Sequence, residues 1–404
     1  MPAEARRARR SSLPTIAVEG TTAAGFEPLR RAFLRVLGRG PGGGAFTVKR
    51  RGETVVDLWG GRATHFGESR PWKPDTLAIC FSTTKGVAST VIHRLADRGA
   101  VEYDEPVASY WPEFGAGGKD RVTVRHLLTH RAGLHSVRAV AKEAEDLLDH
   151  VAMEEQLAAR AVPAPRHRPA YHAITYGWLL AGLARRITGR GLADLSRTEV
   201  TEPLGIDGLH IGVPEEASEF VAEPVGAALR QLGSFADFSA PAWSRLRYSR
   251  TTIEALHVSG FHRLFEGPRP PIWNTEMPAV NGVISARALA DLYDPLANKG
   301  VAGGEQYLSE VRVQELGRVQ SRERDAVLGI PMRWRLGYHH AFGNGRTAPM
   351  AFGHYGYGGS GGWADPAAGI SVGFVTNRIG SLTTPLGDLN LFRLNRSLRL
   401  CLSA

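Results

Sequence analysis

Strand-like segments lie near both ends of this 404-residue chain, and helical patterns fill most of the sequence between them. If both ends share one sheet, the order predicts a discontinuous α/β domain, residues 20–75 and 325–404, with a mainly helical domain, residues 76–324, inserted into it. Residues 209–271 are expected to form an irregular insertion. The predicted strands are residues 45–48 and 54–59, joined by a hairpin at Arg51-Gly52, and residues 334–336, 352–353 and 369–377.

A serine and a lysine stand three residues apart at the start of a predicted helix, in the segment CFSTTKG, residues 80–86. Positions i and i+3 share a helix face, so Ser82 would lie in the first turn with Lys85 one turn above it. A lysine held neutral by burial can accept the proton that a serine hydroxyl must lose to become a nucleophile. The helix N-terminus adds N–H donors where an oxyanion would form.

The Ser-x-x-Lys spacing alone is a weak signal, and the use of basic residues strengthens it. Of the 49 basic residues 43 are arginine, which stays protonated in proteins. The sequence therefore uses arginine where positive charge alone suffices. Lys85 is one of only six lysines, the side chains that could lose this proton.

Tyr171 follows a proline-rich approach, residues 163–169, and precedes a strongly apolar predicted helix, residues 174–187. A side chain in this position can project into a cleft. A nearby ammonium favours a phenolate, and Lys85 could supply that charge, which would make Tyr171 a general base. The alternative is a tyrosine that belongs to the core.

The segment after residue 352 is dense in glycine, which lets the backbone approach a ligand closely. An N–H on such an edge strand is a candidate second oxyanion donor. The stretch GYGGSG, residues 356–361, matches a dinucleotide pattern, but no helix follows it. The stretch GGSGG, residues 358–362, matches a hydrolase nucleophile turn, but no histidine occurs after His354.

No cofactor or metal ion is predicted. The sequence has no H-E-x-x-H motif, and the His339-His340 pair lacks carboxylates at ligand spacing, so a surface or pocket-wall role is expected for the pair. Cys80 and Cys401 are too far apart in sequence to indicate a ligand cluster or a disulfide framework. Cys80 is expected to be a small buried packing residue.

The formal charge of +9 does not indicate a nucleic-acid partner, because the arginines are spread along the chain without interleaved aromatics. The arginine-rich first ten residues lack a following apolar segment, and the most apolar stretch, residues 176–184, is too short to span a membrane. We therefore expect a cytoplasmic protein that acts on a small molecule, with no nucleic-acid or membrane partner. Its oligomeric state is not predicted.

The order of Ser-x-x-Lys, a tyrosine and a glycine-rich strand resembles the serine β-lactamase and penicillin-binding protein superfamily. The chain is most similar to the class C β-lactamase-like branch, which includes family VIII carboxylesterases. The resemblance runs from about residue 44 to residue 378 and implies a β-lactamase/transpeptidase-like fold, an antiparallel sheet flanked by helices with an inserted helical domain. The phrases that carry it are FSTTKG (residues 81–86), VTVRHLLTHRAGL (residues 122–134), YHAITYGWLLAG (residues 171–182), Asn281-Gly282 and residues 353–366.

The resemblance also implies roles for individual residues. Ser82 would be the acylated nucleophile, Lys85 its proton partner and Tyr171 the second base. The N–H groups of Ser82 and Tyr357 would form the oxyanion hole. The stretch His354-Tyr355-Gly356 would replace the family's K-T-G strand motif, which makes His354 and Gly356 candidate substrate-binding residues.

Two departures from the family pattern bear on the substrate. The Y-x-N motif has become Tyr171-His172-Ala173, and the strand lysine that anchors carboxylates has become His354. Both changes remove polar handles for a lactam or a peptide, so a carboxylesterase acting on small esters is the leading hypothesis. The alternatives are an acyltransferase of a secondary-metabolite pathway that uses the same acyl-enzyme, then a β-lactamase or D-amino-acid peptidase, and a catalytically silent binding member of the fold.

Overall fold

The computed structural model describes residues 16–38, 41–162, 165–226, 250–344, 348–379 and 389–403. Fourteen strands can be assigned within these residues: β1 (Val18–Thr22), β2 (Gly43–Arg50), β3 (Glu53–His65), β4 (Glu68–Pro71), β5 (Leu77–Ile79), β6 (Leu209–Ile211), β7 (Val221–Ala222), β8 (Gly282–Ile284), β9 (Val301–Ala302), β10 (Glu305–Gln306), β11 (His339–His340), β12 (Phe352–Tyr355), β13 (Gly361–Asp365) and β14 (Ile370–Thr376).

The main sheet is antiparallel and takes strands from both ends of the chain. Its order is β1-β3-β2-β14-β13-β12-β11, with β4 paired to β3. A second sheet has the order β6-β8-β5-β7, and β9 pairs with β10. The first strands of the chain therefore meet the last, through the pairing of β2 with β14.

The α-helices lie mostly between these two groups of strands. Several begin at a side-chain cap, such as Thr123, whose hydroxyl accepts the His126 N–H, and Ser285, whose hydroxyl accepts the Ala288 N–H. The helices are α1 (Glu27–Leu37), α2 (Thr84–Asp97), α3 (Val124–Leu128), α4 (His150–Ala159), α5 (Thr175–Thr188), α6 (Leu192–Ser196), α7 (Glu202–Leu204), α8 (Arg250–Leu256), α9 (Ala286–Ala297), α10 (Glu310–Gly317) and α11 (Asn390–Ser403).

Helices cover both faces of the main sheet. Successive residues of a strand point to opposite faces, so Phe46 and Val48 of β2 join the apolar cluster under α1 and α11, whereas Ala45 joins the larger cluster on the other side. Helix α9 packs on that second face. It approaches so closely that a Cβ at Gly373 would lie 2.1 Å from the carbonyl oxygen of Ala286.

The antiparallel sheet flanked by helices and the first hairpin agree with the prediction. β2 and β3 pair in the expected way, and the turn uses positive φ angles at Arg51 and Gly52. The predicted strand at residues 334–336 is wrong: the nearby strand is β11, and Trp334 is instead buried in the interior. Helix α9 begins at Ala286 after its cap at Ser285, and β8 occupies Gly282–Ile284 just before it.

Part of the predicted insertion, residues 227–249, lies outside the described residues. The rest of residues 209–271 contains β6, β7 and α8. Across the described ranges, no helix combines the length and the apolar character that a membrane crossing requires.

Candidate active site

Ser82 lies in a single 3-10 turn, Phe81–Thr83, between β5 and α2. The Thr84 hydroxyl donates to the Phe81 carbonyl at 2.6 Å and so holds the turn closed. Phe81 has a φ of 47°, which is unusual for a bulky residue and places local strain next to the serine. Its ring packs against Phe265 at 5.6 Å and Tyr357 at 5.8 Å between centroids, contacts that hold the strained conformation.

Lys85 is fully buried one turn above Ser82. Its Nζ lies 2.9 Å from Ser82 Oγ, 2.7 Å from the Ala173 carbonyl oxygen and 3.0 Å from the Ala279 carbonyl oxygen. Burial lowers the pKa of the Lys85 amine well below its ordinary value, and no carboxylate in the described chain forms an ion pair with it to offset this effect. Burial therefore favours the neutral form of the resting amine.

A neutral amine has two N–H bonds and one lone pair. The carbonyl oxygens of Ala173 and Ala279 can only accept, so they take both N–H groups of Lys85. The lone pair then faces the hydroxyl of Ser82, which can donate to it. This arrangement fits a general base that is already oriented toward its nucleophile.

Tyr171 meets both residues in the same crevice. The phenol hydrogen-bonds with the Ser82 side chain, and the Lys85 Nζ lies 5.0 Å from the centre of the ring. Burial raises the pKa of Tyr171 further above its ordinary value, and the charge of Asp325 raises it as well. The ammonium and phenolate pair considered from the sequence is thus not the resting state: the amine is neutral and the phenol keeps its proton.

The backbone just after strand β12 packs closely against the turn that carries Ser82. A Cβ at Gly356 would lie 2.0 Å from the Cys80 carbonyl oxygen, so only glycine fits there. The Thr83 hydroxyl also donates to the Ser360 carbonyl at 3.1 Å. Tyr357 follows Gly356 directly, which brings its backbone close to the nucleophile turn, as an oxyanion donor requires.

His354 is buried on β12, and its ring lies 6.3 Å from that of Tyr171. Its Nδ1 lies 3.0 Å from the Tyr355 carbonyl oxygen, which can only accept, so Nδ1 carries the hydrogen. Nε2 is then an acceptor, buried and without a partner among the described residues. Burial, with the nearby His339 and Lys85, lowers the pKa of His354 well below its ordinary value, so this site is uncharged.

His339 supports the strand that carries His354. Its Nδ1 donates to the His340 carbonyl at 2.8 Å, and its Nε2 accepts the Tyr355 N–H at 3.1 Å. Both residues of the His339-His340 pair are buried, so the surface alternative for the pair is wrong. In the described part of the chain, no group of His, Cys, Asp and Glu side chains is arranged to hold a metal ion.

Sequence reasoning missed several groups of this site. The carbonyls of Ala173 and Ala279 have no sequence signal, because every residue carries one. Tyr293 of α9 accepts the His354 N–H at 3.1 Å, and a Cβ at Gly86 would lie 2.4 Å from its hydroxyl oxygen. Asp325, which accepts the Tyr171 N–H, was also missed.

The comparisons with known proteins agree with this geometry. The Beta-lactamase family model matches residues 30–389 of the chain. The chain belongs to the β-lactamase family. The esterase/beta-lactamase LipL of Mycobacterium tuberculosis is 42% identical over 373 residues, which cover 91% of this chain and 85% of the relative.

Two solved structures extend the likeness to nearly the whole chain. A family VIII carboxylesterase is 34% identical with a TM-score of 0.82, covering 95% of this chain and 100% of the other. A penicillin-binding protein homologue from Caulobacter crescentus is 32% identical with a TM-score of 0.81, at the same coverage. This member of the β-lactamase family is a serine hydrolase related to esterases.

Proposed function

We propose that this protein is a carboxylesterase that forms an acyl-enzyme on Ser82 and transfers the acyl group to water. The observation that carries the proposal is the Lys85 amine, buried and without an ion-pair partner in the described chain, whose lone pair faces the Ser82 hydroxyl at 2.9 Å. A serine with a neutral base already oriented toward it is an activated nucleophile.

In the first step Ser82 Oγ attacks the ester carbonyl carbon while its proton moves to Lys85 Nζ. The N–H groups of Ser82 and Tyr357 hold the negative charge that develops on the carbonyl oxygen. As the C–O bond breaks, the Tyr171 hydroxyl gives its proton to the departing alcohol, and the Lys85 ammonium returns a proton to the phenolate. The acyl-enzyme is left with a neutral amine and a neutral phenol.

Water then repeats these steps. It attacks the acyl carbonyl, Lys85 takes a proton from the water, and Ser82 leaves as the alcohol after receiving a proton from Tyr171. The proton on Lys85 again restores the phenol. Over one cycle an ester and water become an acid and an alcohol, and every group of the enzyme returns to its starting form.

The substrate class follows from His354. With Nδ1 donating to the Tyr355 carbonyl, its buried Nε2 offers only a lone pair, which repels a carboxylate instead of binding it. Penicillin-like lactams and peptides with a free C-terminus carry a carboxylate, whereas a simple ester does not. The name of the mycobacterial relative includes both activities, and this acceptor favours the ester.

A labelled fluorophosphonate and a short-chain nitrophenyl ester test the proposal together. We expect a covalent adduct on Ser82, detected by peptide mass spectrometry, and turnover of the ester. The Ser82→Ala protein, with an unchanged circular dichroism spectrum, should show neither. Turnover without an adduct on Ser82 would contradict the assignment of the nucleophile, and absence of both would refute the esterase proposal.

The same assay distinguishes hydrolysis from transfer. With an added alcohol or amine acceptor, a hydrolase yields mainly the free acid, and a transferase yields mainly the new ester or amide. We expect the free acid to predominate. If the transfer product predominates, the acyl-enzyme remains the intermediate, and the added acceptor rather than water is the second substrate.

A further inference from the structure

Three consecutive backbone N–H groups around Tyr171 are each held by a group from elsewhere in the chain. The Ala170 N–H donates to the His130 carbonyl at 2.9 Å, and the His172 N–H donates to His130 Nδ1 at 3.2 Å. Between them, the Tyr171 N–H donates to Asp325 Oδ1 at 3.1 Å. The backbone that carries the phenol is thus fixed by hydrogen bonds rather than by membership of a helix or strand.

Asp325 is fully buried, and both of its oxygens are occupied. Oδ1 also accepts the N–H groups of Val327 at 2.9 Å and Leu328 at 3.0 Å, and Oδ2 accepts the indole N–H of Trp334 at 3.0 Å. The Trp334 ring lies parallel to the Tyr171 ring, with 5.6 Å between centroids and 16° between planes. One carboxylate therefore holds both the backbone of Tyr171 and the side chain that its ring stacks on.

We propose that Asp325 is a positioning residue for Tyr171, fixing the phenol where it can give its proton to the departing alcohol. The inference rests on the esterase proposal, since it assigns Asp325 to the leaving-group step of that reaction. Hydrogen bonds from four N–H donors hold the carboxylate. The carboxylate in turn holds the Tyr171 backbone directly and the Tyr171 ring through Trp334. A displacement of the donor by about 1 Å would slow proton transfer by roughly a hundredfold.

The charge of Asp325 also acts on the pKa of the phenol, in the same direction as burial, which is the larger cause. Together with burial its charge raises the pKa of Tyr171, which disfavours the phenolate. The other titratable groups that face the ring, Lys85, His130 and His354, all have a pKa lowered by burial and are uncharged. Among the residues that the structure describes, no cation faces the ring to oppose the carboxylate, which leaves Tyr171 as a proton donor.

The test is Asp325→Asn, assayed on two esters of the same acid. Asparagine keeps an acceptor for the three backbone N–H groups but points an NH2 at the Trp334 N–H, so the indole loses its partner. An alkyl alkoxide needs a proton to depart, whereas nitrophenolate leaves without one. We expect kcat/KM, which reports the acylation step alone, to fall by about tenfold on the alkyl ester and only about twofold on the nitrophenyl ester.

Asp365→Asn is the matched control. Asp365 is an equally buried carboxylate, on β13, bound to Arg399 at 2.9 Å and to the Ala367 N–H at 3.1 Å. This variant should lower activity on both esters equally, if at all. Equal losses on both esters in Asp325→Asn would overturn the inference, because they would indicate only less folded enzyme.

A second variant, Trp334→Phe, keeps a stacking ring and removes the indole N–H. It should show the same dependence on the leaving group as Asp325→Asn, with a smaller loss. Equal fractional losses on both esters, or no loss on either, would count against the inference. The fluorophosphonate adduct on wild-type Ser82 separates the two proposals. If wild type labels and turns over esters while the variants show no leaving-group dependence, the role of Asp325 fails and the esterase stands.

Discussion

Lys49 and Lys85 are both largely removed from solvent, and their surroundings differ in one respect. Lys49 on β2 lies 2.6 Å from Asp291 and 3.6 Å from Asp294. Burial lowers its pKa, but the hydrogen bond and charge of Asp291, together with Asp294, overcome that effect and raise it above the ordinary value. Lys85, with only carbonyl and hydroxyl oxygens around its amine, has its pKa lowered well below that value.

The comparison shows what converts a buried lysine into a base. Carbonyl oxygens satisfy N–H groups without providing a counter-ion, so they compensate for lost hydrogen bonds but not for lost hydration of a charge. Carboxylates do both and keep the ammonium. The same side chain is therefore a structural cation on β2 and a candidate proton acceptor on α2.

Replacing each lysine by methionine gives the largest expected difference. Lys85→Met should lower kcat/KM by about a thousandfold or more, because Ser82 loses its proton acceptor. Lys49→Met should keep kcat/KM within about threefold of the wild-type value, since Lys49 contacts neither Ser82 nor Tyr171. Initial rates on a nitrophenyl ester, with folding verified by circular dichroism, measure both. Comparable losses in the two variants would refute the distinction.

Removing the hydroxyl of Tyr171 tests its proposed role as the proton donor to the leaving alcohol. Tyr171→Phe should lower kcat/KM, which reports acylation, by about a hundredfold on an alkyl ester and by much less on a nitrophenyl ester, because in acylation only the alkoxide needs a proton. The ring and its stacking on Trp334 are preserved. Near-wild-type rates on the alkyl ester would show that another group protonates the leaving alcohol.

The pH dependence of kcat/KM sharpens the assignment of a neutral Lys85. Activity should disappear as pH falls through the pKa of Lys85, and this limb should lie well below the ordinary lysine value near 10.5. Because burial raises the pKa of Tyr171 above its ordinary value of 10.0, the phenol adds no limb near neutral pH. A limb close to the ordinary lysine value would mean that the resting amine is charged.

The two methionine variants should also differ in stability, by smaller amounts. Lys85 is neutral when folded and charged when unfolded, so its burial costs stability below the unfolded pKa, increasingly as pH falls toward the folded one. The Lys85→Met protein should therefore have an equal or higher free energy of unfolding than wild type at pH 7. Lys49→Met leaves Asp291 and Asp294 without their partner, so its free energy of unfolding should fall by about 1–3 kcal/mol. Chemical denaturation measures both changes, and the same sign for both would contradict the comparison.

The sequence predicted the parts of this site that depend on local spacing. Ser82 and Lys85 are one helical turn apart, and Tyr171 was a candidate from its proline-rich approach that the family resemblance then selected, so all three could be named before any coordinates. The groups that set their chemistry are remote: Ala173 and Ala279 lie 88 and 194 residues from Lys85, and Asp325 lies 154 residues from Tyr171. A backbone carbonyl or a single aspartate has no pattern that could identify it.

The misassigned strand at residues 334–336 has the same cause. Alternating apolar residues around Trp334 match a strand, but the indole is held by Asp325 and stacks on Tyr171. Tertiary contacts prevailed over local propensity there. The positive φ of Phe81 was equally unpredictable, since a bulky residue gives no local reason for that conformation.

The pairing of β2 with β14 has a consequence for how the enzyme matures. Thr376 donates to the Gly43 carbonyl across 333 residues, and Thr83 reaches Ser360 across 277. Chain synthesis runs from the N-terminus, so Ser82 leaves the ribosome long before Ser360, whose carbonyl oxygen accepts the Thr83 hydroxyl. Such distant contacts form slowly. The turn that carries Ser82 therefore acquires its contact with Ser360 only after residue 360 has been synthesised, so a shorter nascent chain would lack part of the arrangement on which the proposed hydrolysis depends.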